Sequence, residues 1–154
     1  MSQYSNQTNL PLPIAVWLAH DTYDREAAGL SATTLMRPTR QVILAKRVPA
    51  GEGIIDISGM IKSRIGTAIH DAIEGAWLSD KLDTTLTSLG LSDKIVKRLM
   101  VNPTEIPEGK PVIPVYLEKR SSREVLGVKI TGKFDFIADG RVHDFKTTST
   151  FAYT

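Results

Sequence analysis

Two regimes of hydrophobic spacing divide this chain. From Ser58, which reads as an N-cap, to about Leu78, Ile61, Ile65, Ile69, Ala72, Ala76 and the later Trp77 recur three and four residues apart, which predicts a helix with one buried stripe. A second helical region is expected from about Asp83 to Met100, broken at Gly90-Leu91-Ser92. Earlier, Ser31 caps a short helical turn and Thr39 starts a helix reaching about Val48. Ile14 to His20 is apolar but of ambiguous type, and residues 1–13 read as a flexible arm. Pro49 to Gly53 is a loop and Pro103 to Pro111 a proline-rich linker. After Pro111 the composition turns β-branched and aromatic: Val112–Lys119, Val125–Ala138 and Arg141–Thr147 read as strands, with Lys119–Glu124 as a polar turn.

The expected class is α/β with the elements in α+β order. N-terminal helices would pack on an antiparallel three-strand meander. Residues 14–154 would form a single domain, with a helical part over 31–102 and a sheet part over 112–148.

The sharpest local signal lies in the last two strands. Asp139-Gly140 predicts a two-residue type I′ turn, in which both central residues need positive φ. Such a turn pairs Ala138 with Arg141 and Ile137 with Val142, and sets Asp135 opposite Asp144. Residues directly opposed, or two apart on a strand, share a face. Asp135, Asp144 and Lys146, with Lys133 beside them, would then project from one face, and Phe134, Phe136 and Phe145 from the other, toward a core. Opposed like charges repel, so the pattern calls for a cation between the two carboxylates.

Charge and cysteine content narrow the chemistry. The net charge of +2 does not by itself mark a nucleic-acid binder. Its distribution adds something: no acidic residue lies between Glu26 and Glu52, while Arg37, Arg40, Lys46 and Arg47 do. That stretch could follow a phosphate backbone or be a solvated helix face. The chain has no cysteine, which excludes disulfides, thiolate zinc sites and cysteine-ligated iron–sulfur clusters. A metal would be held by carboxylate, imidazole or backbone oxygen, which favours Mg2+ or Mn2+. No apolar run approaches the ~20 residues of a membrane span and the polar N-terminus is unlike a secretory signal, so the expected location is cytoplasmic.

On the long helix, Gly66, His70 and Glu74 stack four residues apart. The glycine admits close backbone approach, the imidazole offers a metal ligand, and the glutamate could orient it or hold a water; a solvated His–Glu pair is the alternative. On the hairpin, Asp135 and Asp144 could bind divalent cations, and Lys146 could orient a water and stabilise charge on phosphoryl oxygens. A surface Asp–Lys ladder is the alternative there. Glu118, at the end of the first strand, could approach the same metal or pair with Lys119 or Arg120.

Gly132-Lys-Phe-Asp135, followed after a turn by Asp144-Phe-Lys146-Thr147, resembles the core motif of the PD-(D/E)XK nuclease superfamily. Gly66-Thr-Ala-Ile-His70-Asp-Ala-Ile-Glu74 is similar to the helix motif of its RecB-like branch, which includes phage-type exonucleases. Ser31-Ala-Thr-Thr-Leu35 looks like the serine-containing motif that often precedes that helix. The resemblance implies a restriction-endonuclease-like core and a metal-dependent deoxyribonuclease, an exonuclease of DNA recombination, repair or phage DNA processing in a bacterial or phage-infected cell. It implies Asp135 and Asp144 as the two acids, Lys146 as the catalytic lysine and His70 as the metal-ligating histidine. Double- or single-stranded DNA would be the partner, contacted by Arg37, Arg40, Lys133, Lys94 and Lys97, with a homo-oligomer or a recombination protein as a further partner. Phe134 stands where many members have proline, and the absence of cysteine matches the cluster-free members. The resemblance also implies a helix beyond the lysine strand, where this chain stops at Thr154, so an N-terminal fragment, a split gene product or a pared-down member lacking that helix is expected.

Two other readings compete. Thr84 to Met100, with Ser92 starting a basic helix, could be a helix-turn-helix that binds DNA through Lys94, Lys97 and Arg98. The chain could also be an inactive nuclease fragment that binds a partner through an open strand edge.

Overall fold

The computed structural model describes residues 3–20, 30–47 and 53–147. The expectations for Val48, for most of the loop at 49–53 and for residues beyond Thr147 lie outside the described residues. The chain forms two compact units: one holds the residues up to Gly66 together with Ser122–Gly132, the other Thr67–Ser121 together with the residues from Lys133 onward.

In the first unit, strand β1 (Gln3–Ser5) pairs in parallel with β3 (Ile54–Asp56), so part of the segment read as an arm is ordered into a sheet. The ambiguous apolar segment is helix α1 (Leu12–Ala19), which opens with prolines at its start and lies against a 3-10 turn at Ile57–Met60. Leu18 and Ile57 are buried, and Arg64 donates from Nε to the Leu18 carbonyl at 2.9 Å. Strand β2 (Leu30–Ser31) leads into the single-turn helix α2 (Ala32–Leu35). Ser31 is its N-cap as expected: its hydroxyl accepts the Thr34 N–H at 3.0 Å. Helix α3 (Thr39–Arg47) also follows the expectation.

Asp56 ties β1 to β3. One carboxylate oxygen accepts the Ser5 hydroxyl and the Gln7 N–H, each at 2.9 Å; the other accepts the Ser58 N–H at 3.0 Å and the Ser58 hydroxyl. Asp56, rather than Ser58, therefore caps the turn that precedes the long helix. These donors, the Ser58 hydroxyl first, hold the Asp56 carboxyl well below the usual carboxylate range. A depressed folded-state pKa gives a stabilisation that is complete above the unfolded value of about 3.9 and is lost as pH falls through the folded value. Acidification is therefore expected to free the Gln7 amide, read by hydrogen exchange, and Asp56→Ala should free it already at neutral pH. Equal Gln7 protection in the variant and the parent at pH 7 would contradict this role.

In the second unit, β4 (Leu99–Val101) pairs in parallel with the start of β5 (Ile113–Val125). The end of β6 (Val128–Ala138) pairs antiparallel with β7 (Arg141–His143). The core is Val115, Leu117 and Phe136, with Trp77, Leu99, Val101, Ala138 and Phe145 packed on it. Trp77 meets Phe136 edge-on at 4.8 Å between centroids. The strands join into one mixed sheet ordered β2-β6-β5-β4, with β7 on β6. The antiparallel meander is thus right for β5–β6–β7 and incomplete for the sheet: β2 and β4 add parallel neighbours. These strands of two and three residues are too short to carry an alternation signal.

Three expectations are corrected here. Met100 does not end a helix: α5 (Leu82–Ser88) and α6 (Asp93–Val96) are short, and Leu99–Val101 is strand. Lys119–Glu124 is not a turn: β5 continues to Val125 and turns at Leu126-Gly127. Its charged residues belong to a solvated ribbon, which shows no hydrophobic alternation. The long helix α4 (Ile61–Trp77) keeps the two ends of the expected stripe, Ile61 and Trp77, half-buried but not its middle. Gly66, Thr67, His70, Ile73, Glu74 and Trp77 are half-buried, while Ile65, Ile69, Ala72 and Ala76 are exposed. Period shows that a helix has two faces; here the inward face holds the groups with specific partners, His70 and Trp77.

Candidate metal centre

The Asp139-Gly140 turn forms as expected, with φ of 48° and 71°, and the ladder runs Ala138↔Arg141, Ile137↔Val142, Phe136↔His143. It stops there. The next residue of β6, Asp135, uses a carboxylate oxygen to accept the Phe145 N–H at 2.8 Å, a side-chain bond in place of continued pairing. His70 closes on the same residue from α4: its Nε2 lies 2.9 Å from the Phe145 carbonyl oxygen. Both backbone groups of Phe145 are thus held, one by Asp135 and one by His70.

That second bond fixes the imidazole. A carbonyl oxygen only accepts, so Nε2 carries the donated proton. In a neutral ring Nδ1 then presents a lone pair, and two carboxylates face it: Glu118 Oε1 at 3.4 Å and Asp135 Oδ1 at 3.6 Å. Three converging acceptors repel one another, and the Lys133 ammonium, 2.6 Å from the other Glu118 oxygen, offsets part of that charge. A proton on Nδ1, or a metal cation among the three, would satisfy the remainder.

The geometry fits an ion. One ligand atom each from His70, Glu118 and Asp135 all lie within 4.8 Å of one another, and all three residues are half-buried. Neighbouring ligands about 2.1 Å from one octahedral ion stand roughly 3 Å apart, close to the spacings found. The two carboxylate oxygens are donors for Mg2+ or Mn2+, and the imidazole nitrogen equally for Zn2+ or Fe2+, so the donor set admits a divalent ion without selecting one.

Glu118 reaches the group through an unusual backbone. It has φ of +49° inside a strand, where a residue with a side chain is disfavoured. Next to it, β4 ends at Val101, and the side-chain oxygen of Asn102 accepts the Leu117 N–H at 2.8 Å. The strand bends immediately after this bond, as bulges do when they re-aim a side chain. Lys133 Nζ then holds the outer oxygen, Oε2, at 2.6 Å.

The other expected site residues fall elsewhere. Asp144 and Lys146 form an ion pair of 2.7 Å with side chains 57% and 73% exposed, and Asp144 lies outside the three-residue group. Opposed residues share a face only while the ladder lasts, and it ends at His143. Glu74 lies half-buried one turn beyond His70 on α4 but outside the group, and Gly66 one turn before it. Arg37 and Arg40 are exposed in the first unit, and Lys94 and Lys97 are exposed on or beside α6 in the second. With α6 only one turn long, residues 84–100 offer no helix able to carry several side chains into a groove. An open pocket of about 390 Å³ between α5 and α6, lined by Asp83, Thr87, Asp93 and Lys97 among others, shares no residue with the His70 group.

Among the described residues no helix is long and apolar enough to cross a membrane. Compared with protein-family models, with curated proteins and with solved structures, the chain matches none.

Proposed function

We propose that this chain is a metal-dependent nuclease that hydrolyses DNA phosphodiester bonds, with His70, Glu118 and Asp135 as its metal ligands. One observation carries the reading: the Nε2–H bond to Phe145 leaves Nδ1 aimed at two carboxylates. The ordered motifs at Gly66–Glu74, Gly132–Asp135 and Asp144–Thr147 supply the reaction class by resemblance.

A divalent ion bound there supplies a Lewis acid for the scissile phosphate and acidifies a water. The residues do the rest. His70 is held in one tautomer by Phe145, and Asp135 is held by the Phe145 N–H, so two ligands share one anchor. Lys133 fixes the rotamer of Glu118 and places a positive charge beside the ligands, suited to a phosphoryl oxygen. By the resemblance, Lys146, ion-paired to Asp144 and next in the chain to the anchored Phe145, would be the lysine that orients the attacking water. The same proposal makes the chain an exonuclease of DNA recombination, repair or phage DNA processing.

The test is cleavage of linear and circular DNA with Mg2+, with Mn2+ and with chelator, by the parent and by Lys146→Ala. Metal-dependent cleavage lost in the variant is expected. Cleavage that persists in chelator, or none in either metal, would overturn the reading.

A further inference from the structure

The tip of the β5–β6 hairpin carries residues that neither turn chemistry nor core packing explains. Its two turn residues, Leu126 and Gly127, have φ of 51° and 74°. The first position of such a turn favours Asn, Asp or Gly, because a bulky side chain is crowded at positive φ. The two-residue turn at Asp139-Gly140 obeys this rule. At Leu126 the rule is broken by a leucine that is 99% exposed. Val125 and Val128, which the two-residue turn sets opposite each other, are each 43% exposed. Conformational cost and apolar exposure thus coincide at one protruding point, where asparagine would relieve both.

We propose that this tip is a wedge that stacks against, and parts, the terminal base pairs of a DNA duplex. Aliphatic side chains presented at a projecting point are what proteins insert between base steps. The charge pattern selects nucleic acid: from Lys119 to Lys129 the chain carries Lys119, Arg120, Arg123 and Lys129 against the single acid Glu124. Glu124 falls opposite Lys129 by the same register and offsets it. Arg123, exposed three residues before the apex, is the side chain assigned to a phosphate. The inference rests on the nuclease reading, since strand separation serves an enzyme that must present one strand to its metal.

Leu126→Asn tests it cleanly, because Asn-Gly is the preferred pair for this turn and the fold is kept or firmed. Duplex DNA carrying 2-aminopurine next to one blunt end is mixed with each protein in chelator, so that no cutting occurs. The parent is expected to raise the fluorescence several-fold as the base unstacks, and Leu126→Asn to leave it near that of free duplex. Equal signals from the two proteins, or no change with either, would overturn the wedge; so would loss in the variant of parent binding to anionic vesicles with the fluorescence unaltered. Cleavage is scored separately with metal. Cutting without a fluorescence difference sinks the wedge alone, and a fluorescence difference without any cutting sinks the nuclease reading alone.

Discussion

Asp135→Asn is expected to weaken Mn2+ binding and metal-dependent DNA cleavage by at least about 100-fold while leaving the fold intact. Loss of a residue that merely supports a metal ligand costs roughly 10- to 100-fold, and Asp135 is proposed as a ligand itself. The amide substitution separates two roles that one carboxylate combines. One oxygen of Asp135 accepts the Phe145 N–H at 2.8 Å and the other faces His70 Nδ1 at 3.6 Å. Asparagine keeps a carbonyl oxygen for the first and gives up the charge needed for the second. Asp135→Ala loses both, so it should also release the segment after His143. Calorimetric titration with Mn2+, beside amide exchange at Phe145, reads the two effects apart. Unchanged metal affinity in Asp135→Asn would remove Asp135 from the ligand set.

Phe136→Ala is expected to be the most destabilising single change in the second unit. The ring is 7% exposed and belongs to the core with Val115 and Leu117. It also meets Trp77 at 4.8 Å and His143 at 5.6 Å between centroids. Truncating a buried phenylalanine costs about 3–5 kcal/mol, through lost burial and the cavity left behind. Against a total stability of about 5–15 kcal/mol, that is a large share. A fall in Tm of roughly 10 °C is expected for a chain of this size. The metal centre should suffer as well, because Phe145 packs on this core and its backbone anchors both His70 and Asp135. Thermal unfolding followed by circular dichroism checks the first effect; a shift of only a degree or two would place the core elsewhere.

What the sequence makes legible follows from range. The Asp139-Gly140 turn, its register and the Ser31 cap are local, set by residues a few positions apart, and they stand as expected. The direction of Phe136 follows from the same register. His70 and Asp135 converge because helix and hairpin each present them at regular spacing. Glu118 is the less legible member, since its approach goes with a positive φ inside a strand, which no periodicity signals. Asp144 was placed in the group by extending the ladder one pair too far, across the point where a side chain takes over from the backbone. The middle of the expected α4 stripe fails for a related reason. Hydrophobicity assigns the inward face by default, whereas the helix turns His70 inward because its imidazole has a carbonyl and two carboxylates to meet.

Whether His70 Nδ1 is a metal ligand is directly measurable, because the chain has three histidines. Long-range ¹H–¹⁵N correlation spectra of the imidazoles, recorded with substoichiometric Mn2+, report tautomer and proximity to the ion together. The account predicts an Nε2-protonated His70 whose ring signals broaden first, with those of His20 and His143 following only at higher Mn2+. A His70 protonated on both nitrogens that broadens no sooner than the other two would contradict it, and would leave the cluster as an imidazolium ion-paired to Glu118 and Asp135.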